Sequence, residues 1–215
     1  AHAHMEREGL KTLRPSLADA RSVADVLRVV RDAARTTPPG DYIVTMPVGA
    51  PPHYFGGAAQ LAEGRLPTRQ ELDAAAPDHP VYIPAPFGNW GKPPGTAALN
   101  SLALARNGIT PDSRPQCAGI VLKRDAAGQL TGHIVEHNSR PAVEFDLLAD
   151  VPRFGFADRL KGLRVSQRQY HAKGTTSIYE GHGSAPETLS VYRKLWEDGE
   201  LTMRTTLVVS PAWSD

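Results

Sequence analysis

Apolar positions along this chain follow two periods, one helical and one alternating, and the boundaries between them are sharp. Val23, Val26, Leu27, Val30 and Ala34 recur at helical spacing behind Ser22, a good N-cap, with Asp25 in the first turn. The breaker cluster Thr36-Thr37-Pro38-Pro39-Gly40 ends that helix. Tyr42 to Met46 then reads as a buried strand and Pro47 to Gly57 as a loop. Thr68 and Glu71 stand at capping-box spacing and open a short helix. Val81 to Ile83 reads as a strand, and Thr96 to Asn107 as an Ala/Leu-rich helix closed by Gly108. Ile120–Arg124 and Leu130–Val135 flank the turn Asp125-Ala-Ala-Gly128 and predict a hairpin.

After Asp150 the pattern changes. Arg159 to Lys173 is helical and ends at Gly174; Thr175 to Tyr179 is a β-branched strand. Pro186 to Asp198 is an amphipathic helix with Leu189, Tyr192, Leu195 and Trp196 on its apolar side, and Thr202 to Val209 is another strand. Helix–strand–helix–strand with short connections predicts right-handed βα units on a parallel sheet. A strand at His2–His4 would pair naturally with those at 175–180 and 202–209. The expected organisation is therefore a starting strand and following loop over residues 1–19, an inserted α+β subdomain over 20–155, and βα units over 156–215. No internal repeat is visible.

Composition narrows the class. The 215 residues are 40% hydrophobic and 22% charged with a net charge of +1, ordinary for a globular protein. That balance argues against nucleic acid as a partner, and the apolar runs are too short to cross a bilayer. No signal peptide is visible, and a cytoplasmic location is the expectation. A single cysteine, Cys117, excludes an internal disulfide and a cysteine-based zinc cluster. The 19 prolines and 19 glycines cluster at 38–40, 47–57, 84–95 and 108–115, which read as ordered turns and loops.

The chemistry concentrates at the start, Ala1-His2-Ala3-His4-Met5. Strand side chains alternate with period two, so His2 and His4 would share a face, close enough to hold one metal ion. The alternative is the remnant of an expression tag, with Met5 the true start. His-x-His alone does not separate the two.

Several stretches resemble, in the right order, the YtcJ-like branch of the amidohydrolase superfamily, the amidohydrolase family 3 group. The clearest runs from Leu66-Pro-Thr-Arg-Gln-Glu-Leu-Asp to His79-Pro-Val-Tyr-Ile83; next is Leu99-Asn-Ser-Leu-Ala-Leu-Ala-Arg-Asn-Gly-Ile-Thr110. The hairpin Asp125 to Glu136, Gly174-Thr-Thr-Ser-Ile-Tyr-Glu180, and Ala20-Arg-Ser-Val23 followed by Thr37 to Val44 complete the match. The resemblance covers nearly the whole chain. In that family the first barrel strand ends in a His-x-His metal motif, upstream of the first cap helix by the distance at which His2 and His4 stand. This favours metal ligands over a tag.

The resemblance implies an α/β fold: a partial (β/α)8 TIM-type barrel of a metal-dependent hydrolase, first strands only, with an inserted α+β cap. A complete barrel takes roughly 250 residues, and only residues 156–215 follow the insert. The family's remaining ligands and its general-base aspartate come from later strands, so the base is expected beyond residue 215 and the chain reads as an inactive fragment. The implied activity is hydrolysis of a C–N amide-type or related bond, not a peptide bond, by water activated on a divalent metal. Zinc is the expected ion, one or two in number. Glu180 and His182, just past a strand's C-terminal end, are candidates for substrate contact or for support of a metal-bound histidine; an ordinary βα turn is the alternative. His53 and Trp90, in aromatic-bearing Pro/Gly loops of the cap, are candidate substrate contacts beside the reading that they pack their own loops. Relatives often carry a Gly-His pair before the Asn-Ser segment where this chain has Gly88-Asn89-Trp90, which weakens any borrowed substrate assignment. His133, His137, His79 and His171 read as packing or surface histidines.

The expected partner is a small-molecule substrate, and exposed strand edges of a partial barrel suggest a homo-oligomer. A second function class is a non-catalytic binding module made of the cap fold. A third is a complete small α/β protein with a tagged start.

Overall fold

The computed structural model describes residues 2–86, 94–138 and 143–209. The chain forms two compact units, residues 1–14 with 153–215, and residues 15–152. Together they make a mixed α/β fold with one parallel and one mixed sheet.

The first unit begins with β1 (His2–Ala3), which turns directly into α1 (Met5–Leu10). It resumes with α5 (Phe156–His171), β7 (Ser177–Ser184), α6 (Pro186–Glu197) and β8 (Arg204–Val209). The sheet order is β1-β7-β8, all parallel, with His2 opposite Tyr179 and Ala3 opposite Glu180. Its core joins Ala3 and Met5 to Leu163 of α5, Ile178 of β7, Val191, Tyr192 and Leu195 of α6, and Met203. Trp196, expected on the apolar side of α6, is 70% exposed, because the core-facing stripe runs through Val191, Tyr192 and Leu195 instead.

Residues 5–10, expected as loop, are helical. The reason is tertiary. Glu180 accepts the Met5 N–H at 2.9 Å, Ser166 Oγ donates to the Met5 carbonyl at 2.5 Å, and Arg159 pairs with the buried Glu6 at 2.9 Å. An acidic group at a helix N-terminus satisfies an orphan donor and opposes the helix dipole favourably. None of this can be read from the six residues alone.

The second unit carries α2 (Val23–Ala34), β2 (Ile43–Val44), α3 (Arg69–Ala75), β3 (Val81–Ile83), β4 (Gly95–Leu99), α4 (Ser101–Arg106), β5 (Ile120–Arg124) and β6 (Leu130–Glu136). Ser22 caps α2 and Thr68 with Glu71 closes a capping box on α3, as their spacing predicts. The sheet order is β2-β3-β4-β6-β5, with β2 and β3 parallel and the remaining pairs antiparallel. Both faces are buried: Ile43, Val81, Ile83 and Ala98 meet α2 and α3, while Val44, Tyr82, Ala97 and Leu99 meet α4 and the hairpin.

Residues 96–107 are not one helix. Gly95–Leu99 is a strand, and the helix starts at Ser101 behind Asn100. Alanine favours helix only weakly. Here two partner strands claim Ala97 and Ala98, whose small side chains fit between covered faces. The buried Asn100 enforces the break: its Oδ1 accepts from Val81 N and Ala103 N, and its Nδ2 donates to the His79 carbonyl. The hairpin β5–β6 forms as expected, with a register shift between Leu122 and Arg124.

The α1–α5 crossing brings backbones together at Gly9 and Gly162. A Cβ on Gly9 would lie 1.8 Å from the Gly162 carbonyl oxygen, which no rotamer change relieves. Gly9→Ala is therefore expected to destabilise the chain by at least about 3 kcal/mol, the upper end of ordinary overpacking. Urea unfolding measures this; an unchanged midpoint would contradict the crossing.

Candidate metal centre

The two histidines meet, though not as strand neighbours. β1 stops at Ala3, and His4 occupies the N-cap position of α1 with φ −126° and ψ 63°. The rings are edge-to-face, 5.0 Å between centroids, and the two Nε2 atoms face each other at 3.3 Å. His2 is exposed and lies 6.1 Å from the Tyr179 ring; His4 is partly buried.

Glu180 sets the orientation of His4. Its Oε1 lies 3.2 Å from His4 Nδ1, and its Oε2 accepts from Met5 N at 2.9 Å and from Tyr192 Oη at 2.5 Å. At 5% exposure the carboxylate is almost out of reach of water, and these donors satisfy it instead. With a proton on Nδ1 shared with the carboxylate, His4 turns its Nε2 electron pair towards His2. Burial lowers the His4 pKa below its ordinary value, and the adjacent Glu180 charge offsets part of that fall. The neutral imidazole is the form that ligates metal. Burial, with Glu180 next, pushes the Tyr192 hydroxyl well above its ordinary pKa, so it stays a donor.

The pair fits a divalent ion. Two nitrogens bound at 2.0–2.1 Å to one tetrahedral zinc stand about 3.3–3.4 Å apart, the separation seen between the Nε2 atoms. A carboxylate on the far nitrogen of a ligating histidine is the usual support for such a ligand. Among the described residues no group of three or more His, Cys, Asp or Glu comes together as a metal cage, so these residues supply two ligands.

The other sequence candidates fall elsewhere. Glu180 and His182 were expected beyond a strand end, but β7 runs on to Ser184, so both lie within it, with a register shift against β8 between Glu180 and Ser184. The burial of Glu180 and its internal partners fit support of His4 better than substrate contact. His53 belongs to the second unit and stacks on Phe55, 4.9 Å between ring centroids. Trp90 lies outside the described residues. His133 Nε2 meets the Leu66 and Pro67 carbonyls, His79 Nδ1 the Asp41 carbonyl, and His171 the Thr175 carbonyl and Thr202 hydroxyl. These are structural roles. Tyr192 was read only as an apolar helix position; a tyrosine on a buried stripe needs a partner for its hydroxyl, and that was the available signal.

A parallel βα sheet with two facing imidazoles, one on its first strand and one at the cap of the helix that follows, defines a candidate metal-binding α/β protein. The amidohydrolase family model matches residues 1–212, and the chain belongs to the amidohydrolase family. Two crystal structures of uncharacterized metal-dependent hydrolases have a similar fold. The one from Pyrococcus horikoshii OT3 matches with a TM-score of 0.61 at 20% identity, over 98% of this chain and 36% of that one. The one from Pyrococcus furiosus matches with a TM-score of 0.58 at 19% identity, over 98% of this chain and 37% of that one. This chain thus spans little more than a third of either. No curated protein sequence matches it significantly. No helix among the described residues is long and apolar enough to cross a membrane.

Tyr192→Phe removes one hydrogen bond to the buried Glu180 carboxylate. The expected cost is about 1.5–3 kcal/mol, read as a lower urea midpoint; a midpoint equal to the parent's would show that Tyr192 does not support the carboxylate.

Proposed function

We propose that this chain contributes the imidazole corner of a divalent-metal hydrolase site, and that the protein carrying it cleaves a C–N amide-type or related bond. The observation that carries the reading is the 3.3 Å approach of His2 Nε2 to His4 Nε2, with Glu180 behind His4. Family membership supports the reaction class. Zinc is the proposed ion because imidazole suits it and because the nitrogen spacing matches a tetrahedral site. Such an ion, when bound, supplies a water of pKa near about 7 and polarises the scissile carbonyl.

His2 and His4 hold the ion, and Glu180 keeps the proton of His4 on Nδ1. Two ligands bind zinc weakly, since a stable site takes at least three; further ligands and the general base would come from outside the described residues. The sheet carrying the pair is read as the opening strands of a (β/α)8 barrel, and residues 15–152 as its cap.

A second reading, a small-molecule binding module formed by residues 15–152, is favoured by one feature. That unit holds a partly open cavity of about 330 Å³ lined by Val48, Tyr54, Phe55 and Leu66, with Thr96 and Glu136 among its polar lining.

Equilibrium dialysis with cobalt(II) or zinc separates the readings. The chain is expected to retain the metal, and His2→Ala or His4→Ala to weaken retention at least about tenfold, a change of about 1.4 kcal/mol. Equal retention by all three would remove the site assignment. For the bond class, the zinc-loaded protein carrying this chain is assayed on N-acyl amines and esters. Hydrolysis of N-acyl amines, lost in His4→Ala, supports the reading; turnover of esters alone contradicts it.

A further inference from the structure

We infer that the dipeptide Glu180-Gly181 is the positioning element of the imidazole pair, and that Gly181 is there to seat the ring of His2. The inference rests on the metal reading above only for its consequence, not for its geometry. A Cβ built on Gly181 would stand 2.2 Å from His2 Cε1, 2.6 Å from Nε2 and 2.7 Å from Nδ1. All three nearest atoms belong to that one imidazole. The ring therefore lies directly on the backbone of β7, in the space that any side chain would take.

The glycine is not explained by backbone conformation. Gly181 is absent from the residues with positive φ, unlike Gly174 at +76° and Gly199 at +72°. An L-residue could adopt its conformation, so what only glycine supplies is room. Gly181 also lies inside a strand, where glycine weakens pairing and marks a close approach.

The two adjacent residues thus act on the two rings in different ways. Glu180 holds His4 through Nδ1 at 3.2 Å, and Gly181 leaves the His2 ring room to sit against β7 with its Nε2 within 3.3 Å of His4 Nε2. Both constraints come from consecutive positions of one strand, in register with β1 through the Ala3–Glu180 pairing. A one-residue slip of β1 would lose both at once. Neither residue needs to touch a metal or a substrate. Each fixes where a ligating nitrogen points, and loss of such support typically costs about 10–100-fold in metal affinity.

The test is Gly181→Ala in the full chain, with cobalt(II) as the metal probe and NMR of the metal-free protein as the second readout. The added methyl meets a side-chain ring that can swing out, so the thermal midpoint should stay near the parent's. The nuclear Overhauser contact between the His2 and His4 rings should disappear, and cobalt affinity should fall by about 10–100-fold. In a His2→Ala background the same substitution should have no further effect on affinity, since the ring it displaces is gone. If Gly181→Ala fails to fold, the His2→Ala/Gly181→Ala double variant should fold; failure of the double as well would show that Gly181 serves the backbone and would overturn the inference. A ring contact that survives Gly181→Ala also overturns it, whether or not metal binds. Failure of the unaltered chain to take up cobalt would instead remove the metal reading, and the ring contact would still decide the seat.

Discussion

A carboxylate buried at Glu180 must be satisfied without water, and much of the first unit's organisation answers that requirement. Removing a charge from water costs several kcal/mol unless hydrogen bonds replace the lost solvation. Here three donors converge from different parts of the chain: His4 Nδ1, the Met5 N–H and the Tyr192 hydroxyl. Each donor is tied to a structural decision. The Met5 bond starts α1 immediately after β1. The Tyr192 bond locks α6 to β7. The His4 bond chooses which nitrogen of that ring faces outward.

The candidate centre is a by-product of this packing as much as a set of ligands. His2 and His4 come from residues that have barely formed a strand, and a two-residue strand has little stability of its own. Their geometry is borrowed from β7, through the pairing of His2 with Tyr179 and Ala3 with Glu180. Below them, Met5 and Ala3 enter the same core as Leu163, Val191 and Leu195. The buried side chains on either side of His4 thus fix where the two imidazoles stand. The lowered pKa of His4 belongs to the same arrangement, because the burial that anchors the ring also disfavours its charged form.

Much of this was legible in the sequence where the signal is local. Ser22, Thr68 with Glu71, and the Asp125–Gly128 turn mark elements that form where they stand, because their stabilising bonds lie within a few residues. The parallel pairing of the first strand with the one expected at 175–180 also followed, from element order; the strand expected at 202–209 joins the same sheet but lies on the far side of β7 and does not pair with β1. What escaped depended on distant partners. The helix at 5–10 is capped by a residue 175 positions away. The segment 95–99 is alanine-rich and reads as helix, but it lies between β3 and β6 and so becomes strand. Glu180 and His182 were placed past a strand end because the β-branched run stops at Ile178, whereas pairing with β8 resumes at Ser184 after a register shift and carries β7 on to that residue. Tyr192 was seen as apolar surface, its hydroxyl unassigned, since its acceptor belongs to another element.

X-ray absorption at the zinc edge of the zinc-loaded chain examines the central claim most directly. The account predicts two nitrogen neighbours at about 2.0–2.1 Å with the outer scattering of imidazole rings, both lost when His2 and His4 are replaced by alanine. A first shell of oxygen alone, or one unchanged by those replacements, would contradict it.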